Sequence, residues 1–137
     1  MSVVYAREDN LSLDEYLDLL ERSTLAQRRP VHDRAAMEGA LRGSSIVLTA
    51  RQDGVLVGAA RAVTDFHLAC YLADLAVDAA AQGTGIGLAL QRELRDHLAV
   101  GCKISLTAAP AAAEYYPRIG YEPNDRAWVL PPEAPLG

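Results

Sequence analysis

Between residues 82 and 87 the sequence reads Gln-Gly-Thr-Gly-Ile-Gly, with glycine at every second position, and it runs directly into an amphipathic helical pattern that ends at Leu98. The first N–H groups of a helix have no intrahelical partners, and together with the helix dipole they make a site for an anion. Glycine lets a phosphate approach such a main chain with no Cβ in the way. The spacing excludes two common phosphate loops: the dinucleotide fingerprint needs glycine where Leu88 stands, and the nucleotide-hydrolase loop needs a Gly-Lys-Ser/Thr that is absent. The alternative is that the glycines merely let a helix pack closely on a sheet. A second chemical feature is Asp74, which interrupts the apolar run from Leu68 to Val77. A buried ionised carboxylate is costly unless it is paired or hydrogen-bonded.

The elements that must position these residues are of mixed type. Ser2 to Arg7 reads as a short strand. Ser12 with Glu15 three residues on is a capping-box pattern, opening a helix that presents Leu13, Tyr16, Leu17, Leu19 and Leu20. Pro30 interrupts the chain, and Asp33 to Leu41 reads as a second helix ending near Gly43. Residues 45–50 and 55–63 are β-rich runs joined through Asp53-Gly54, a strong hairpin signal. A third strand of this antiparallel set follows from Leu68 to Val77. The glycine segment opens a helix from about Gly85 to Val100, with Ile86, Leu90, Leu94 and Leu98 on one stripe. Lys103 to Thr107 reads as another strand, Ala111 to Ile119 as a short helix, and Tyr121 to Leu130 as an irregular strand region.

The chain has 137 residues, half of them apolar, which suits a single domain over residues 1–137 with a frayed tail from 130. Its formal net charge is −5, and no run of Lys or Arg forms the basic stripe that nucleic acid or an anionic membrane would require. No signal-peptide pattern and no stretch of 18 apolar residues occurs, so a cytoplasmic protein is expected. Cys70 and Cys102 lack metal-site spacing and read as buried free thiols, with no metal implied.

Gln82-x-x-Gly85-x-Gly87 resembles the Q/R-x-x-G-x-G/A signature of the GNAT acyltransferase superfamily. Tyr115-Tyr116-x-x-x-Gly120-Tyr121 is similar to that family's F-Y-x-x-x-G-F segment. The two motifs stand in the right order around the right strand, and the resemblance covers roughly residues 45–122. It implies an α+β fold whose central sheet, mixed but mostly antiparallel and flanked by helices, splays open between its fourth and fifth strands, here those ending at Val77 and starting at Lys103. Acetyl-CoA is the implied co-substrate. Its pyrophosphate would rest on main-chain N–H groups of Gln82, Gly83, Thr84, Gly85, Ile86, Gly87 and Leu88. Its pantetheine arm would pair with the main chain of Leu75, Ala76 and Val77, as an added strand does. The resemblance further implies direct attack by an amine on the thioester, a main-chain N–H stabilising the oxyanion, and Tyr116 protonating the departing thiolate. Tyr116 also reads as a core aromatic with a satisfied hydroxyl.

The proton acceptor for the incoming ammonium is the open question. Asp74 is one candidate and Asp65, at the mouth of the same hairpin, is another; His67 in that turn is a third. Against a role in chemistry, Arg61 falls opposite Asp74 to within one residue of register, so the two also read as a structural ion pair, and a one-residue slip would put them on opposite faces. The strand 103–107 lacks the glutamate, and residues 108–110 lack the asparagine, common in family members that acetylate protein N-termini, which points away from that substrate. A small-molecule primary amine is the expected acceptor. A non-catalytic acyl-CoA-binding module and an acyltransferase acting on protein or RNA are the alternatives, and a homodimer remains open.

Overall fold

The structure, a computed structural model, describes residues 2–137. Residue contacts divide the chain into two compact units, one running to Thr107 and the other Ala108–Gly137. The first holds a five-stranded sheet in the order β1 (Val3–Arg7), β2 (Ile46–Gln52), β3 (Val55–Thr64), β4 (Ala69–Val77), β5 (Lys103–Ser105). The first four strands pair antiparallel with their neighbours, and β5 joins β4 in parallel. This is the mixed, mostly antiparallel sheet that the family resemblance implies.

Local chemistry accounts for the elements. Ser12 caps α1 (Leu13–Ser23) by accepting a hydrogen bond from the Glu15 N–H, and Asp33 caps α2 (Arg34–Arg42) in the same way through the Ala36 N–H. Asp53 and Gly54 both take positive φ, 53° and 79°, the geometry of a two-residue turn that matches strand twist. Leu25–Arg28 forms a 3₁₀ turn where the sequence pattern offers no signal.

Both faces of the sheet are covered. On one, Leu13, Tyr16, Leu19 and Leu20 of α1 and Met37 and Leu41 of α2 pack with Val47, Leu56, Ala59 and Ala76. On the other, Ile86, Leu90 and Leu94 of α3 (Ile86–Asp96) pack with Ile46, Leu48, Ala60, Cys70 and Leu72. Gly58 lies under α3: a Cβ there would come within 2.9 Å of Ile86 Cγ2 and 3.1 Å of Leu90 Cδ1, so glycine is what lets this helix sit so close to the sheet.

The sheet changes face midway along β4. Leu72 pairs with Ala62 while Asp74 pairs with Arg61, so Ala73 is an extra residue, a β-bulge. Cys70 and Leu72, before the bulge, face α3; Asp74 and Ala76, beyond it, face α1. Simple alternation from residue 70 would have put all four on one side. The bulge is therefore what brings Asp74 opposite Arg61 and onto the α1 face.

Several boundaries differ from the sequence reading. The helix expected to reach Val100 ends at Asp96, where the chain turns and the Ala99 N–H bonds the Phe66 carbonyl at 2.8 Å. Strand β5 stops at Ser105, two residues early. The helix expected over 111–119 is two pieces, a 3₁₀ turn at Pro110–Ala112 and the single turn α4 (Tyr115–Arg118). Pro117 has no N–H to give the Ala113 carbonyl, so a continuous helix cannot close there. No strand forms over 121–130; Asn124 folds that segment into a turn by accepting from the Arg126 N–H at 3.0 Å through its side chain and from the Ala127 N–H at 3.3 Å through its carbonyl. Cys70 is buried and Cys102 only half-buried, and both are free thiols. Among the described residues no helix is long and apolar enough to cross a membrane.

Candidate functional site

Strand β5 follows β4 for only three residue pairs, Ala69 with Lys103, Cys70 with Ile104 and Tyr71 with Ser105. Among the described residues the β5-facing edge of β4 therefore has no strand partner from Leu72 to Val77, which is the opening expected between the fourth and fifth strands. The Asp78 N–H bonds the Val57 carbonyl on the β3 side at 2.8 Å. By alternation, the main-chain groups of Val77 and Leu75 point the other way, into the opening, while those of Ala76 point toward β3. Of the three residues proposed for the pantetheine arm, Leu75 thus offers its main-chain groups to a ligand and Val77 its N–H, the Val77 carbonyl already accepting from Gln82 Nε2.

The glycine segment begins five residues after the end of β4. Gly83 and Gly85 have φ of 80° and 90°, a conformation that side chains with a Cβ rarely adopt. A Cβ built on either meets nothing within 4 Å. Close packing is therefore not why these two positions are glycine; that reason belongs to Gly58. Gly85 is the N-cap of α3 and brings no side-chain cap, and the first intrahelical bond runs from the Ala89 N–H to the Gly85 carbonyl at 3.0 Å. The N–H groups of Ile86, Gly87 and Leu88 thus lack intrahelical partners. Gln82 and Thr84 fasten the loop from beneath: Gln82 Nε2 donates to the Val77 carbonyl at 3.1 Å and Thr84 Oγ1 to the Ala81 carbonyl at 2.5 Å. Gln82 to Gly85 are exposed. An exposed loop with open space over its glycines, at the N-terminus of an eleven-residue helix, fits a pyrophosphate, and the adjoining strand edge fits an extended amide-containing arm.

Asp74 is 2% exposed and accepts hydrogen bonds from three side chains. Its Oδ1 accepts from Arg29 Nε at 2.8 Å; its Oδ2 accepts from Arg61 Nε at 2.8 Å and from the Tyr16 hydroxyl. Burial alone would raise its pKa, but the Arg61 guanidinium, the Tyr16 hydroxyl and the charge of Arg29 outweigh it, and the carboxyl lies below its ordinary range. Tyr16 moves the opposite way, well above its ordinary value, through burial first and then the Asp74 charge. A carboxylate so placed is a poor proton acceptor. Arg61 was legible as a partner from register. Tyr16 had only its place on the buried stripe of α1, where a phenol needs a partner for its hydroxyl, and Arg29 had no sequence signal.

Asp65 is exposed but equally committed. Its Oδ1 accepts from the N–H groups of His67, Leu68 and Ala69 at 2.8–3.0 Å, and these bonds, the Ala69 one foremost, hold its pKa at about 2. It builds the turn between β3 and β4. His67 Nδ1 lies 3.0 Å from the Asp65 carbonyl in that turn. In the second unit, the Tyr116 ring makes edge-on contacts with Tyr115 and Tyr121, with centroids 5.0 and 5.3 Å away. Burial, and to a lesser degree Tyr115, raises the pKa of Tyr116, so its phenol keeps its proton at neutral pH. Among the described residues, no group of three or more His, Cys, Asp or Glu is placed to hold a metal ion.

A family model described as an acetyltransferase (GNAT) domain matches residues 17–128. No curated protein matches the chain. Solved structures similar to it include a Staphylococcus aureus protein of unknown function described as a probable acetyltransferase, with 19% identity, a TM-score of 0.76, and coverage of 94% of this chain and 97% of that one. A GNAT-family acetyltransferase from Streptococcus pneumoniae is 18% identical with a TM-score of 0.67, covering 94% and 98%. A predicted acetyltransferase from Clostridium acetobutylicum, solved with acetyl-CoA, is 13% identical with a TM-score of 0.72, covering 95% and 96%.

Proposed function

Because the chain belongs to the GNAT acetyltransferase family, we propose that it transfers the acetyl group of acetyl-CoA to a primary amine of a small molecule, by direct attack within a ternary complex in the cytoplasm. One observation carries the reading: the β4 edge left open beyond Tyr71 leads straight to an uncapped, glycine-lined helix N-terminus. The N–H groups of Ile86, Gly87 and Leu88, with the loop Gln82–Gly85, hold the pyrophosphate. Leu75 and Val77 hold the pantetheine arm, with Ala76 between them keeping the strand against β3. Acetyl-CoA supplies the activated acyl carbon.

The protein's part in the chemistry is then modest. A main-chain N–H at the β4 edge offers a fixed dipole to the oxyanion, which needs no reorganisation when charge develops. Tyr116 supplies a proton to the departing thiolate, as its protonated phenol at neutral pH allows. Neither Asp74 nor Asp65 serves as the base, since each carboxylate is already held by several donors; the ammonium proton passes to water.

The test is a thermal-shift titration with acetyl-CoA and CoA, followed by measurement of CoA release with amines, amino acids, polyamines and aminoglycosides. A ligand that binds only the folded state at a hundred times its Kd raises stability by about 2.7 kcal/mol. No shift at millimolar acetyl-CoA would end the proposal, and a shift without CoA release for any amine would favour a binding module. With an acceptor in hand, Tyr116→Phe is expected to lower kcat about 10²-fold while the Kd of acetyl-CoA stays within about twofold. Unchanged turnover would reduce Tyr116 to packing.

A further inference from the structure

The group around Asp74 carries more positive charge than its own carboxylate neutralises. Two guanidiniums, Arg29 and Arg61, meet one acid, and among the described ion pairs neither has another. Arg61 suffices to balance Asp74: its side chain is 14% exposed, it bonds Oδ2, and its Nη1 is directed to the Ala40 carbonyl and Ser44 hydroxyl. Tyr16 is neutral. Arg29 is the surplus charge, and its side chain is 27% exposed.

The place of Arg29 is informative. Besides Asp74, it donates through Nη2 to the Ala73 carbonyl at 3.0 Å and through Nη1 to the Arg28 carbonyl at 2.8 Å. A guanidinium has five N–H donors, so three bonds leave hydrogens on both terminal nitrogens for a further acceptor. Ala73 is two residues past Tyr71, the last residue of β4 that pairs with β5. On the reading above, the acetyl-CoA arm runs from the α3 N-terminus back along Val77 and Leu75, so its thioester end points toward Ala73. Arg29 therefore borders the open edge where an acceptor amine must arrive, and it is fixed there by the bulge and by Asp74.

We propose that Arg29 binds a carboxylate on the acceptor, making the acceptor class amino acids and related amines that carry a carboxylate. A guanidinium with two parallel donors suits a carboxylate geometrically, and the partly buried setting strengthens the pair. It disfavours polycations, which would meet an unbalanced positive charge on approach. The inference rests on the acetyl-transfer reading and is tested separately from it.

The experiment compares CoA release with the twenty amino acids, their C-terminal amides and spermidine, in the wild type and in Arg29→Gln and Arg29→Lys. Melting temperature and acetyl-CoA affinity are measured on each protein, and binding of the same compounds is followed by thermal shift of the CoA-saturated protein. The expected result is at least a tenfold preference in kcat/KM for a free amino acid over its amide. Arg29→Gln should raise KM for the acid about 10–100-fold and leave the amide within about twofold, with Arg29→Lys recovering part of the loss. Asp74 keeps Arg61 in these variants, which favours folding; should Arg29→Gln not fold, the wild-type acid-to-amide ratio and Arg29→Lys decide. Equal use of acid and amide, preference for spermidine, or an Arg29→Gln KM equal to wild type overturns the assignment, as does acetyl-CoA binding with no amino acid bound or turned over. In each of those cases acetyl-CoA still binds, whereas failure of the acetyl-transfer reading would show as no acetyl-CoA binding at all.

Discussion

Replacing Asp74 by alanine is expected to destabilise the protein by about 3–5 kcal/mol, the cost of breaking a buried ion pair and leaving its partners uncompensated. The side chain is 1% exposed, and its loss strands the Arg61 and Arg29 guanidiniums and the Tyr16 hydroxyl together. Arg61→Met should cost less, because Asp74 keeps Arg29 and Tyr16. Asp74→Asn should fall between, since the amide oxygen still accepts one hydrogen bond but carries no charge. Equilibrium denaturation of the three variants measures the order directly. The pH dependence has a definite sign. The folded-state pKa of Asp74 is depressed, so its contribution is complete above the unfolded value near 3.8 and is lost as pH falls through the lower folded value. Asp74→Asn should therefore show a flatter loss of stability below about pH 4 than the wild type. On the proposed mechanism, in which water takes the ammonium proton, turnover per folded molecule should survive the substitution. A stable Asp74→Asn protein that binds acetyl-CoA but transfers no acetyl group would make Asp74 a catalytic base after all.

Gly85→Glu is expected to weaken acetyl-CoA binding at least about 100-fold, erasing the thermal shift at ligand concentrations that saturate the wild type. Two effects act together. A carboxylate at the N-cap of α3 occupies the positive end of the helix dipole and repels a pyrophosphate. Its side chain also enters space that is open above a glycine with φ of 90°. That φ adds a cost of about 1–2 kcal/mol for a residue with a Cβ, so the variant will melt lower even without ligand. Gly85→Asn separates the effects: asparagine tolerates the left-handed conformation and brings no charge, so it should retain the fold and a larger share of the affinity. If Gly85→Glu bound acetyl-CoA as tightly as the wild type, the pyrophosphate would have to sit elsewhere.

Much of this was present in residue types and spacings. The capping residue Ser12, the Asp53-Gly54 turn and the buried stripe Ile86, Leu90, Leu94 are local signals, each arising from the chemistry of a few neighbouring residues, and each forms as read; Asp33, read as the first residue of its helix, is instead the cap before it. The glycine loop was legible for the same reason: a helix start that must take positive φ and leave N–H groups bare writes itself into adjacent positions. Elements whose fate turns on one residue were legible only in part, as with Pro117, which divides the helix expected over 111–119.

What the tertiary structure decided is which face Asp74 occupies and what it meets there. In an uninterrupted hairpin, pairing Leu72 with Ala62 would bring Ala73, and not Asp74, opposite Arg61. The bulge at Ala73 shifts the register by one and turns the carboxylate toward α1. Side-chain alternation has period two, so a single extra residue inverts everything beyond it, and no local pattern marks where such a residue is accommodated. Tyr16 and Arg29 lie 58 and 45 residues from Asp74 in the chain, and only the packing of α1 against β4 and the reach of Arg29, which follows the 3₁₀ turn at Leu25–Arg28, bring them to it. Spacing along the sequence carries what neighbours do to one another; a buried charge takes its partners from wherever the fold delivers them.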